Sequence, residues 1–200
     1  MNQAACEAAP FRAGVLLFPQ VEPLDFAGPY EVLACARDGH SRAYCQALTI
    51  AERPEVVCHG GLRVRADHGL DDAPPLDILV VPGGPGAREP VGDLDPVLRF
   101  LRAQACQAQV LASVCTGSYW LARAGLLDGC SATTHSLRLD DFAARFPAVQ
   151  VVREKVVDLG RIITAGGVAS GIDLALHLLA RFFGSEARRR EAARLDGPWR

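Results

Sequence analysis

Two short apolar runs that end abruptly in small-residue turns constrain this chain more than any other feature. "DILVV" at residues 77–81 passes directly into "PGGPGA", and "VLASV" at 110–114 passes into "CTGS". Apolar runs of this length, rich in valine and isoleucine and bounded by glycine or proline, read as buried strands. Around them the pattern alternates. "GVLLF" (14–18) and "AYCQALTI" (43–50) read as further strands, with a helix over about residues 30–36 between them. "EVVCHGGLRVRADHGL" reads as two short strands about the Gly60 and Gly61 turn, and residues 149–165 as strands folded about Leu159 and Gly160. Helices are expected after an Asp95 cap followed by Pro96, over "TGSYWLARA" up to Gly125, over 136–146, and after a capping box of Ser170 and Asp173. The last presents Ile172, Ala175, Leu176, Leu179, Phe182 and Phe183 on one face.

Alternating strands and helices predict a three-layer α/β sandwich, flavodoxin-like, with a mainly parallel central sheet. With half of its 200 residues apolar, the chain suits a single domain with a core over about residues 13–184. In such a sheet the reactive groups belong on loops leaving the carboxyl ends of the strands. Both "PGGPGA" and "CTGS" occupy such loops.

Composition closes several function classes. A net charge of −2 provides no broad basic field for nucleic acid. Arg188, Arg189 and Arg190 form only a local cluster flanked by Glu186 and Glu191, and read as a solvated helix end. Lys155 is the only lysine and lies outside any glycine-rich turn, which excludes a P-loop. No apolar run reaches membrane-spanning length and no secretory signal is apparent, so a soluble cytoplasmic protein is expected. The seven cysteines are odd in number and lack a C-x-x-C, which favours reduced thiols. Cys58 and His59 are adjacent, but no second ligand pair stands at zinc spacing, so no metal is assigned.

Cys115 is the candidate nucleophile. The order strand, Ser113-Val114-Cys115-Thr116-Gly117, helix has the form of a nucleophile elbow. The helix behind it offers N–H groups and a positive dipole end, which predicts a thiol pKa below about 8.5 and the fastest alkylation among the cysteines. A buried cysteine capping a core strand remains the alternative. Asp25, in "EPLDFAGP", also follows a strand and could exchange a proton with a thiolate; a helix cap is its alternative, and Glu22 a rival for the role. His135, ending "SATTH", is the most plausible histidine, whereas His40, His59 and His68 read as loop residues and His177 as packing. Gly83 and Gly84 could bring backbone amides to an anionic intermediate, or simply make a wide turn.

Taken together, "LLFPQVEPLDFAGPYEVL", "LDILVVPGGPGA", "SVCTGSYWLARAGLLDG", "ATTH" and "ITAGGVASGIDLALHLL" resemble, in that order, the ThiJ/PfpI superfamily, also called the class I glutamine-amidotransferase-like fold. Within it the chain looks most like the isonitrile hydratase branch. The resemblance implies that Cys115 is the nucleophile, with Asp25 and the neighbouring Thr116 acting beside it. It implies addition of water to an isonitrile to give an N-substituted formamide, no cofactor, and a homodimer. Ser136 stands where the family has an aromatic residue, Pro85 departs from the hydratases, and the C-terminus is shorter. A glutaminase would need a late H-x-E pair, but His177 is followed by Leu178 and Leu179. AraC-type regulators carry a similar N-terminal domain, so a ligand-binding or redox-sensing domain is the non-enzymatic alternative. A DNA-binding portion would need roughly a hundred further residues, and none is expected in the short stretch after residue 184.

Overall fold

The computed structural model describes residues 10–199; Cys6 lies outside them. Its ten strands are β1 (Arg12–Leu17), β2 (Gln46–Ala51), β3 (Glu55–Val57), β4 (Arg63–Arg65), β5 (Ile78–Val81), β6 (Val110–Val114), β7 (Ser131–Ala132), β8 (Gln150–Val151), β9 (Val156–Asp158) and β10 (Ile162–Ala165). The helices are α1 (Pro23–Cys35), α2 (Pro85–Arg88), α3 (Asp95–Gln107), α4 (Ser118–Arg123), α5 (Leu139–Arg145), α6 (Ser170–Phe183) and α7 (Ser185–Leu195).

A six-stranded sheet in the order β2-β1-β5-β6-β10-β9 organises the chain, parallel throughout except for β9 against β10. The β3–β4 hairpin and a β7–β8 pair stand apart from it. Helices α1 and α6 pack on each other over one side of the sheet, with α7 against α6; α3 and α4 pack together against β6 on the other. Strands covered on both faces should be apolar without alternation. All four residues of β5 and all five of β6 are buried. Leu16, Ile78, Leu79 and Leu111 lie at its centre, each buried leucine or isoleucine contributing about 1.5–3 kcal/mol.

Parallel pairing decides where the site lies. Because β1, β5, β6 and β10 are consecutive neighbours and run the same way, their exit loops emerge at one edge. Four segments distant in sequence therefore converge there: Phe18 to Asp25, Pro82 to Gly86, Cys115 to Gly117, and Gly166 to Val168.

Several elements differ from their sequence expectation. Helix α1 begins at Pro23, not near Tyr30, and carries Pro29 inside it. Asp95 and Ser170 are the first helical residues of α3 and α6 and cap neither. The carboxylates of the two expected caps bond elsewhere: Asp95 to Arg99 at 3.2 Å, Asp173 to Lys155 at 2.8 Å. The arginine cluster lies within α7, not at a helix end, with Arg189 and Arg190 paired to Glu186. His177 is not packing: it is exposed on α6 and bonds Asp158 at 2.8 Å.

Candidate active site

Cys115 follows β6 without an intervening residue and opens a single 3-10 turn ahead of α4. Its φ is 54°, a left-handed backbone that costs a non-glycine residue about 1–3 kcal/mol and needs support from its surroundings. That support is visible. The hydroxyls of Thr134 and Ser118 donate to the Cys115 carbonyl at 3.1 and 3.4 Å. Two residues on, Gly117 lies so close to the Val81 and Pro82 carbonyls that no Cβ would fit.

Asp25 occupies the first turn of α1 and is fully buried. The Gly83 amide donates to its Oδ2 at 3.0 Å, while Oδ1 has no hydrogen-bond partner. Thr116 joins the other side of the same loop: its Oγ1 accepts from the Gly84 amide at 2.9 Å and donates to the Gly84 carbonyl at 3.2 Å. The expectation that the Gly83 and Gly84 amides approach an anion therefore meets a different arrangement. Both amides are already spent on Asp25 and Thr116, and the two glycines work as spacers. A Cβ on Gly83 would stand 2.5 Å from the Thr116 nitrogen and 2.8 Å from Asp25 Oδ2.

The electrostatics reverse another expectation. Burial, first of all, raises the Asp25 carboxyl from 3.8 to about 7; the Gly83 amide and Cys115 oppose this, and the Glu22 charge adds to it. Burial also raises the Cys115 thiol, with the Asp25 charge reinforcing it and the Thr116 backbone and hydroxyl opposing. An acidified thiol was expected from the helix end. With only 6% of Cys115 exposed, loss of hydration outweighs the dipole of the short α4, and a carboxylate alongside adds repulsion. The two groups titrate as a pair, because burying two adjacent anions is costlier than burying one.

A cavity of about 210 Å³ opens over this pair, lined in part by Cys115, Thr116, Gly84, Glu22, His59 and His135. Asp25 is buried behind its wall. His135 Nδ1 accepts the Leu137 amide at 3.2 Å, so the neutral ring carries its proton on Nε2. The structure thus gathers Asp25, Gly83, Gly84, Cys115, Thr116 and His135 at one sheet edge. Residues not foreseen are Thr134, Arg88, Arg138 and His59, the last read only as a loop histidine. His59 arrives because the β3–β4 hairpin docks on the loop after β1, where its amide donates to the Val21 carbonyl at 2.9 Å. No local pattern marks it. Arg88 and Thr134 were within reach, four residues beyond Gly84 and inside "ATTH".

Among the described residues no group of three or more His, Cys, Asp or Glu could hold a metal ion. The six described cysteines form no disulfide. None of the described helices is long and apolar enough to cross a membrane.

Known proteins share this arrangement of segments. An isonitrile hydratase of Pseudomonas putida is 40% identical over 171 residues, covering 86% of this chain and 72% of the hydratase. The HTH-type transcriptional regulator GbdR of Pseudomonas aeruginosa is 35% identical over 179 residues, covering 88% of this chain but only 48% of the regulator. Among solved structures, a THiJ/PfpI family protein from Pseudomonas syringae superposes with a TM-score of 0.82 at 25% identity, over 95% of this chain and 76% of that one. The DJ-1/PfpI family model matches residues 11–181, and the chain belongs to that family.

Proposed function

We propose that this protein hydrates an isonitrile to an N-substituted formamide through a covalent adduct on Cys115. The observation that carries the reading is the pairing of Cys115, held at positive φ at the head of β6, with the buried carboxyl of Asp25. Likeness to an isonitrile hydratase supports the choice of reaction.

The chemistry balances with these two groups and water. Sulfur bonds to the terminal carbon of R–NC as the ionised Asp25 takes the thiol proton. The carboxyl then returns that proton to the same carbon, giving a thioformimidate, R–N=CH–S–Cys115. Water adds across the C=N bond, its proton passing through Asp25 to nitrogen. Collapse of the tetrahedral centre expels the sulfur, which recovers its proton, and R–NH–CHO leaves. A carboxyl near 7 suits a group that both accepts and donates at neutral pH. Thr116 keeps the Gly84 loop against the nucleophile turn. His135 presents its Nε2 proton to the pocket as a donor for substrate. The reaction draws on no metal or organic cofactor. The protein works as a single-domain homodimer in the cytoplasm, without nucleic acid or membrane.

The test is incubation with a panel of isonitriles while formamide is followed by mass spectrometry, beside Cys115→Ala. Formamide from the native chain and none from the variant is the expected result. Equal rates for the two would end the proposal. Likeness to a regulator favours a second reading, a ligand-binding domain without turnover. It would show as saturable binding of small molecules with no product. A redox-sensing role fits less well, since a buried thiol with a raised pKa reacts slowly with oxidants.

A further inference from the structure

Two arginines, Arg88 and Arg138, also line the Cys115 cavity. Arg88 ends α2, directly after the loop that holds Asp25 and Thr116; Arg138 ends the short turn that begins at Ser136. Both backbones are anchored. Arg123 and Arg145 donate to the Arg88 carbonyl at 2.7 and 3.3 Å. The Arg138 amide donates to the His135 carbonyl at 2.7 Å, and the Tyr119 hydroxyl reaches the Arg138 carbonyl at 3.4 Å.

The side chains contrast with these backbones. Among the described residues neither guanidinium forms an ion pair. Asp141 accepts from Tyr119 at 2.6 Å and Arg145 at 2.9 Å, with the Arg138 charge acting on it without an ion-pair contact, and Glu89 pairs with Arg145 at 2.7 Å. Among the described residues Glu22 is the one carboxylate on the cavity wall, with Asp25 buried behind it, and two arginines share that wall.

We infer that Arg88 and Arg138 select a substrate that carries a carboxylate, held while its isonitrile carbon meets Cys115. Two arginines lining one cavity suit a carboxylate, which a guanidinium can grip with parallel N–H donors. The cavity beside Cys115 is open to solvent and admits a small molecule. The substrate class is a carboxylated isonitrile, and the product an N-formyl amino acid or a close relative. This inference rests on the hydratase reading for the reacting group, but the charge preference belongs to the cavity itself.

A matched pair separates the two: isocyanoacetate and its methyl ester, nearly equal in size and differing by one charge. For the native protein kcat/KM should favour the acid by about tenfold or more, chiefly through KM. In Arg88→Gln, and further in Arg88→Gln with Arg138→Gln, that preference should fall toward one. No preference in the native protein overturns the inference. So does an equal loss of kcat for acid and ester in the variants, which would assign the arginines to the reacting centre. Calorimetric binding of both compounds to Cys115→Ala covers the remaining case. Acid binding tighter than ester, abolished by the double arginine replacement, sustains the charge selection even where no formamide forms, and only the hydratase reading then falls. Equal or absent binding of the two overturns it.

Discussion

The Gly83 amide donates to Asp25 Oδ2 at 3.0 Å and leaves Oδ1 buried without a hydrogen-bond partner. One oxygen is thereby fixed in place and the other remains available to a proton. Replacing Asp25 by asparagine keeps the shape and the Gly83 bond but removes that exchange. Turnover of an isonitrile should fall roughly 10²–10⁴-fold. Cys115→Ala should abolish it, and the double variant should be no worse than Cys115→Ala alone. An Asp25→Asn protein with native kcat would move the proton role to Glu22 or His135.

The same carboxyl links stability to pH. Its pKa rises from 3.8 to about 7 on folding. Below about pH 4 folded and unfolded chains both hold the proton. Between about 4 and about 7 the unfolded chain loses it while the fold retains it, so stability falls as pH rises through that window. The full shift corresponds to ~4 kcal/mol as an upper bound. Asp25→Asn should therefore gain stability over the native protein by on the order of 2–4 kcal/mol between pH 4 and pH 8, read from urea unfolding at both. A difference independent of pH would place the Asp25 pKa near its ordinary value.

Alkylation separates the two views of the thiol. Cys106 is exposed and Cys115 is buried with a raised pKa. Limited iodoacetamide treatment at pH 7 followed by mass mapping should label Cys106 ahead of Cys115. Labelling of Cys115 should then quicken in Asp25→Asn, because the repelling charge is gone. Dominant labelling of Cys115 in the native protein would restore the acidified thiol expected from its place beside a helix end.

Gly83→Ala tests how closely the three loops are set. The added methyl would meet the Thr116 nitrogen at 2.5 Å and Asp25 Oδ2 at 2.8 Å. Backbone cannot yield cheaply there, so a loss of about 1–3 kcal/mol is expected, with turnover reduced beyond what stability explains. Native activity and an unchanged urea midpoint would show that the loops adapt.

Much of this molecule was determined locally. A run such as "VLASV" is too apolar to leave exposed and too short for a helix, and the small residues after it force a turn, so β6, Cys115 and α4 follow from neighbours in sequence. The same holds for β5 and its glycine loop, and alternation of such units dictated a parallel sheet with its exit loops on one edge. Other features depended on what lies across space. Pro29 lacks an amide donor and reads as a helix start, yet it lies inside α1, where a Cβ on Gly171 of α6 would come within 3.0 Å of its ring. Close packing of α1 on α6 holds that helix together from Pro23 and brings Asp25 under Gly83. The ionisation of Cys115 was likewise not local. A helix end favours the thiolate, but burial and a carboxylate ninety residues away in sequence oppose it, and desolvation outweighs the dipole. His59, Arg88 and Arg138 share a cavity only because a hairpin, a four-residue helix and a 3-10 turn meet above the sheet edge. Periodicity records which residues leave water, but not which of the buried or half-buried groups come to face one another.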